Sequence, residues 1–243
     1  MSNAGRPTRQ ILEVWGELAC FSRPELKVER FSYPVITPSA ARGIFDAIYN
    51  KRTEFRWQVS RIELLSAPSY IALRRNEVKQ KVNTNAVRTW MDGADVEPIW
   101  ADGDSSIYSM DTKGRTQRQT MALREVRYRL HAEILPWPDH QHRQRALEDQ
   151  FTRRASKGKC FHQPYFGCRE FPAYFEIPRD SSGPPVAYSA DLGFMLYDVF
   201  DLARQGTSEG APAISVFHAR VVDGVLDVPE YTSDLVKKAI EPK

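Results

Sequence analysis

Residues 122–134, ALREVRYRLHAEI, alternate so strictly that they leave the chain few folds to choose from. Val126, Tyr128, Leu130, Ala132 and Ile134 fall on one side of an extended backbone, and Arg127, Arg129, His131 and Glu133 on the other. A strand apolar on one side only belongs in an antiparallel sheet with one face covered and one face wet. The covering pieces should be amphipathic helices, and two stretches have that periodicity. Residues 39–50 predict a helix N-capped by Ser39 after Pro38, with Ala41, Ile44, Phe45 and Ile48 on one face and Tyr49 in its last turn. Residues 139–157 predict a second, with Leu147, Phe151 and Ala155 at fours and Gly158 placed to stop it.

Three more extended stretches complete the set. Residues 11–21 alternate cleanly, and residues 55–65 change phase near Ser60, which marks a bulge. In residues 170–177, Phe171, Ala173 and Phe175 alternate with polar or ring-bearing neighbours. The order is strand, helix, strand, strand, helix, strand. That is an α+β chain with a ferredoxin-like domain, an antiparallel sheet carrying two helices on one face. The segment RDSSGPPV at 179–186 reads as a boundary. It separates a domain over 1–179 from a small β-rich C-terminal region over 180–243, with a hairpin turning at Asp223-Gly224 and a weakly structured tail. Residues 83–119 are polar, glycine-broken and without periodicity, so they read as one long loop.

Charge separates the same two parts. Residues 1–179 hold 29 Lys plus Arg against 21 Asp plus Glu, and residues 180–243 hold 5 against 10. Arginine supplies 24 of the 34 cations, and its planar fork suits phosphate contact and base stacking. A basic body of this kind points to nucleic acid. The candidate contacts are Arg23, Lys27 and Arg30 in the first proline-rich loop, then Arg74, Arg75, Lys79 and Lys81 within eight positions. Arg115 and Arg118, Arg127 and Arg129 on the wet strand face, and Arg153 and Arg154 at the end of the second helix complete them. No apolar run approaches the roughly 20 residues that cross a bilayer, and the first residues carry no apolar leader. A cytoplasmic protein with no membrane partner is expected. The odd cysteine count argues against a disulfide framework. Cys160 and Cys168, with His162 between them, lack the spacing of a common zinc site, so no metal and no cofactor are expected.

The most information-rich stretch is Lys157 to Tyr174, KGKCFHQPYFGCREFPAY. It links the basic second helix to the last strand of the first domain through a turn built on Pro164 and Gly167, carrying His162, Tyr165 and Arg169. Taken in order, VWGELACFSRPELKVERFSYPVITPSAARGIFDAIY, RRNEV, QRQTMALREVRY and KGKCFHQPYFGCREF resemble the CRISPR-associated RAMP proteins of subtype I-C, the Cas-five-d (or Cas-five-c) branch. The resemblance covers about residues 11–200. It implies an RRM-like RAMP fold whose basic surface binds RNA. The implied activity is an endoribonuclease that cuts precursor CRISPR RNA within its repeat and then caps the guide's 5′ end. The implied partners are the repeat RNA and the other subunits of a type I-C surveillance complex, and duplex DNA is a candidate partner of the non-cleaving alternative given below.

The chemistry the resemblance implies is metal-independent attack of a ribose 2′-hydroxyl on the adjacent phosphate. It needs a proton acceptor, a proton donor and positive charge on the phosphate. In the family these roles fall to a tyrosine ending the first helix and a Lys-His pair near the start of the second. Tyr49 matches the tyrosine. The pair has no counterpart, since its positions here are Ala146 and Leu147. His142 is the first substitute, beside His140, Arg143 and Arg145, with His162 and His131 as further candidates. An imidazole suits acid-base work near neutral pH. Two rivals stand beside this reading: a non-cleaving RNA-binding subunit of the same fold, and a metal-dependent nuclease built on Asp92, Asp95, Asp102 and Asp104.

Overall fold

A computed structural model describes residues 7–26, 28–79, 81–96, 114–179, 183–206 and 212–238. Its strands are β1 (Gln10–Ala19), β2 (Arg30–Phe31), β3 (Phe55–Leu64), β4 (Tyr70–Val78) and β5 (Arg115–Pro136), then β6 (Tyr174–Glu176), β7 (Ala190–Asp198), β8 (Ser215–Val222), β9 (Val225–Asp227) and β10 (Val236–Lys238). Its α-helices are α1 (Pro38–Ile48), α2 (Thr84–Met91) and α3 (Gln144–Ala155). The chain divides into two compact units, Met1–Ile71 with Met121–Lys243, and Ala72–Thr120.

In the first unit the strands run in the order β10-β8-β9-β3-β5-β1-β6, with β2 on β5 and β7 on β8. The stretch β3-β5-β1-β6 is antiparallel throughout and, with α1 and α3, forms the ferredoxin-like arrangement expected from the element order. Leu12, Val14, Ile62, Leu130 and Ile134 are fully buried on its helix side. Phe45 of α1 and Phe151 of α3 close over Trp57 of β3, each at 4.8 or 5.7 Å from its neighbours. Burying such rings makes Trp57 a position where truncation to Ala costs about 3–5 kcal/mol. The phase change near Ser60 is a register shift between Val59 and Arg61 against β5. Past residue 183 the chain adds to the same sheet through β9 on β3, and Asp223 and Gly224 make the tight turn with positive φ at both.

Three local expectations are corrected in this unit. Thr37, not Ser39, caps α1: its hydroxyl accepts from Ala40 N at 3.2 Å, and Pro38 takes the first helical position, where its missing N–H costs nothing. The second helix opens as a 3-10 turn, Pro138–Arg143, and becomes α-helical only from Gln144. The last strand shrinks to β6, because Pro172 cannot donate to a ladder. Phe171 and Ala173 are nonetheless buried, held in a tight loop by Phe166 N to Phe171 O and Ala173 N to Pro164 O, both 2.8 Å. Gly167 in that loop has φ +78°, and a Cβ there would sit 2.0 Å from the Cys20 carbonyl oxygen.

The second unit is not one loop. There β4 pairs with β5, and α2 stands between them in sequence, capped by the Asn83 side chain on Asn85 N. No α2 residue is buried although the helix is amphipathic, and its eight residues make too short a run for periodicity to mark. Alternation along β4 leaves Arg74 exposed and Arg75 half-buried on opposite sides, which splits the four-cation cluster.

Candidate active site and nucleic-acid interface

The C-terminal end of α1 organises the site. A helix leaves its last four carbonyls without intrahelical donors, and here no glycine follows to turn the chain back onto them. Residues distant in sequence supply the donors. Arg154 Nε donates to Ile48 O at 2.7 Å, Phe161 N to Ala47 O at 2.7 Å, and the Trp57 indole to Tyr49 O at 2.9 Å. This cap gathers α3, the Lys157–Tyr174 stretch and β3 around Tyr49. At the far end of α3, Gly158 takes φ +61°, and Lys159 N bonds Arg154 O at 2.9 Å, the turn that brings Phe161 back.

Tyr49 itself leaves the helix with an extended backbone, and its ring lies 5.3 Å from Phe55. Burial raises the pKa of its phenol, while the charges of Lys51, Arg143 and Arg154 pull it down and Glu54 pushes it up. The phenol is therefore a proton donor through neutral pH. Glu54 is clamped between Lys51 Nζ at 2.8 Å and Arg143 Nη1 at 2.6 Å, and the Lys51 hydrogen bond leads in holding its carboxyl below the ordinary range. Trp137 locks the 3-10 turn onto this loop, with its N to Glu54 O and its indole to Arg52 O, both 2.9 Å.

The histidines separate. His142 is exposed on the 3-10 turn next to Arg143, and His162 is exposed next to Phe161, so both flank the Tyr49 end. Among the described residues no histidine hydrogen-bonds Tyr49. His131 is corrected from an open-face residue to a buried one, at 6% exposure. Its Nε2 lies 3.0 Å from Glu63 Oε1, at ion-pair distance but without hydrogen-bond geometry. Burial lowers its pKa against the pull of Glu63. It faces the side of the sheet opposite Tyr49, since it pairs with Arg61 while Phe55 points to the helices. The two positions where the family's Lys-His pair would fall are an exposed Ala146 and a core Leu147.

The candidate cations also sort. Arg127 pairs with Glu13, and Arg129 with Glu63 at 2.6 Å. Arg30 reaches Glu170 at 3.3 Å and the Cys168 sulfur at 3.5 Å, and Arg23 lies over the Tyr33 ring at 4.8 Å. In the second unit Arg118 faces Glu77 at 3.8 Å, while Lys79, Lys81 and Arg115 lie at or beside its strand ends. Lys27, Asp102 and Asp104 fall outside the described residues. Arg153 bonds the Gln150 side chain and Arg154 the Ile48 carbonyl, and among the described residues neither has a carboxylate partner.

The sequence sets Lys51 beside Tyr49 as part of a basic site, but sequence reasoning missed Glu54 as its inner carboxylate, although it lies within five residues of Tyr49. It also missed the buried fork of Arg42 on Asp198, at 2.7 and 3.0 Å, which fastens α1 to β7. Only the fold brings those two residues together.

Comparison with known proteins matches residues 11–229 to a family model described as a CRISPR-associated protein, Cas5d. A protein of Thermus thermophilus named as a CRISPR pre-crRNA endoribonuclease, Cas5d, is 38% identical over 90% of this chain and 90% of its own length. One of the same name from Mannheimia succiniciproducens is 36% identical over 93% and 97%. Among solved structures, a CRISPR-associated protein superposes with a TM-score of 0.60 at 18% identity, over 96% of this chain and all of its own. A functionally uncharacterized protein of Streptococcus mutans does so at 0.60 and 16%, over 96% and 98%.

Proposed function

The chain belongs to the Cas5d family of CRISPR-associated proteins, and from that membership we propose that it is an endoribonuclease that cuts precursor CRISPR RNA within the repeat and stays on the 5′ handle in a type I-C effector complex. The observation that carries the reading is Tyr49, a buried phenol at the end of α1 among the charges of Lys51, Arg143 and Arg154. In the proposed step a base takes the proton of a ribose 2′-hydroxyl, whose oxygen attacks the neighbouring phosphorus. The bond to the 5′-oxygen breaks, leaving a 2′,3′-cyclic phosphate and a 5′-hydroxyl. Tyr49 donates a proton to the leaving oxygen, and the cations stabilise the charge that builds on the phosphoryl oxygens. His142 is the first candidate base and His162 the second, both exposed at this end of the molecule. Duplex DNA would bind through backbone charge alone and escape cutting, for want of the 2′-hydroxyl.

The absence of a histidine bond to Tyr49 among the described residues favours a second reading, a subunit that holds the handle without cutting it. One experiment separates them. End-labelled repeat RNA is incubated with the protein in excess EDTA, beside a copy carrying 2′-deoxy at the cut position. Cleavage that the deoxy substitution abolishes is the expected result. Tight binding with no cleavage would leave only the holding role.

A further inference from the structure

We propose that Phe161 is a stacking platform for a single unpaired base of the bound RNA, with the Arg154 guanidinium as its underside; this rests on the RNA reading above. The Arg154 Cζ lies 4.1 Å from the centroid of the Phe161 ring. The ring is nevertheless 58% exposed, so one of its faces is covered by a cation and much of the remainder meets water. Among the described residues no other aromatic ring contacts it. An exposed phenylalanine by itself means little. This one is fixed in place, because its own N–H and the Arg154 Nε each donate at 2.7 Å to consecutive carbonyls at the end of α1, Ala47 and Ile48.

The surroundings select the occupant. Lys157 and Lys159 are exposed and make no ion pair among the described residues, and Arg153 and Arg154 have no carboxylate partner there. An apolar ring edged by uncommitted cations fits a nucleotide, base on the ring and phosphate on the lysines, better than it fits an apolar protein surface. Every base has a π-face, so the platform supplies position rather than sequence preference. Tyr49 follows Ala47 and Ile48 directly, so a base held on Phe161 fixes the RNA backbone close to the phenol. Phe161 is thus a positioning residue rather than a catalytic one.

The test uses the full chain and repeat RNAs carrying 2-aminopurine at successive unpaired positions. One position should be quenched on binding to the wild-type protein, and Phe161→Leu, which keeps apolar bulk without a π-face, should remove that quench. Affinity should fall roughly 5- to 150-fold, the range of one base-aromatic stack, with the salt dependence of binding unchanged. Phe161→Trp should restore both readouts, and it carries the test if the Leu variant folds poorly. Arg154→Ala, by contrast, should also flatten the salt dependence. Wild-type affinity and an intact quench in Phe161→Leu would overturn the platform and leave the RNA reading standing. Failure of the wild-type protein to bind repeat RNA would remove both.

Discussion

Two arginine-rich regions of this chain look alike in sequence and differ in what their charges are doing. On the open face of the sheet, Arg61 meets Asp227 at 2.9 Å, Arg127 meets Glu13, Arg129 meets Glu63, and Arg9 lies 3.9 Å from Glu133. At the end of α3, Arg153, Arg154, Lys157 and Lys159 have no carboxylate partner among the described residues. A cation already paired must lose its partner before it can release counterions from RNA, so its contribution to binding is small. Counting basic residues therefore does not locate a nucleic-acid surface. Counting basic residues without acidic neighbours comes closer.

The two regions should differ most at Tyr49, whose phenol feels the charge of Arg154. Tyr49→Phe should slow cleavage by about 10²- to 10⁴-fold, the usual weight of a positioned proton donor, and leave RNA affinity nearly intact. Single-turnover rates and binding isotherms on the same RNA read the two separately, and a parallel loss of affinity would make the tyrosine structural. On the sheet face the effect should fall on stability instead. Glu63→Ala leaves Arg129 and His131 without their shared carboxylate in a mostly buried setting and should cost about 3–5 kcal/mol in urea unfolding. RNA affinity should not drop with it.

Lys157→Ala with Lys159→Ala tests the opposite region. Melting temperature should hold, since both side chains are exposed. The slope of log affinity against log salt should fall by roughly 0.7 for each phosphate of single-stranded RNA that is no longer neutralised. Arg127→Ala with Arg129→Ala should change that slope much less. The reverse pattern would make the sheet face the RNA floor and dissolve the contrast. The smallest expected effect concerns His131. Burial lowers its folded pKa, so below about pH 6.5 the unfolded chain binds a proton that the folded chain refuses. Stability should therefore fall as pH drops through that value and level off below the folded pKa. His131→Gln should remove this component, and thermal melts of both proteins between about pH 5 and 8 would show it.

Much of the frame was legible in the residues alone. Alternation at 122–134 predicted a sheet with one buried face, and the Asp223-Gly224 pair and Gly158 marked a turn and a helix end. These signals are local: period-two patterning, and the few residues that tolerate positive φ. Tyr49 was nameable too, through a resemblance carried by long matching segments. α2 escaped because eight residues are too short a run for helical periodicity to stand out, and β6 was overextended because Pro172 interrupts an otherwise apolar alternation.

What only the tertiary structure decided is which charges are paired. His131 alternates like an exposed residue, yet Arg61 and Glu63 across the strand pair and the surrounding sheet bury it. Arg129 and Arg154 are both arginines on amphipathic elements. One finds a carboxylate 66 positions away, and the other finds a helix carbonyl 106 positions away with an exposed ring above it. Periodicity reports the side of an element on which a residue lies, whereas ion pairing and pKa depend on what another element brings within about 4 Å of it. That distance is set by strand register and helix capping across the whole fold.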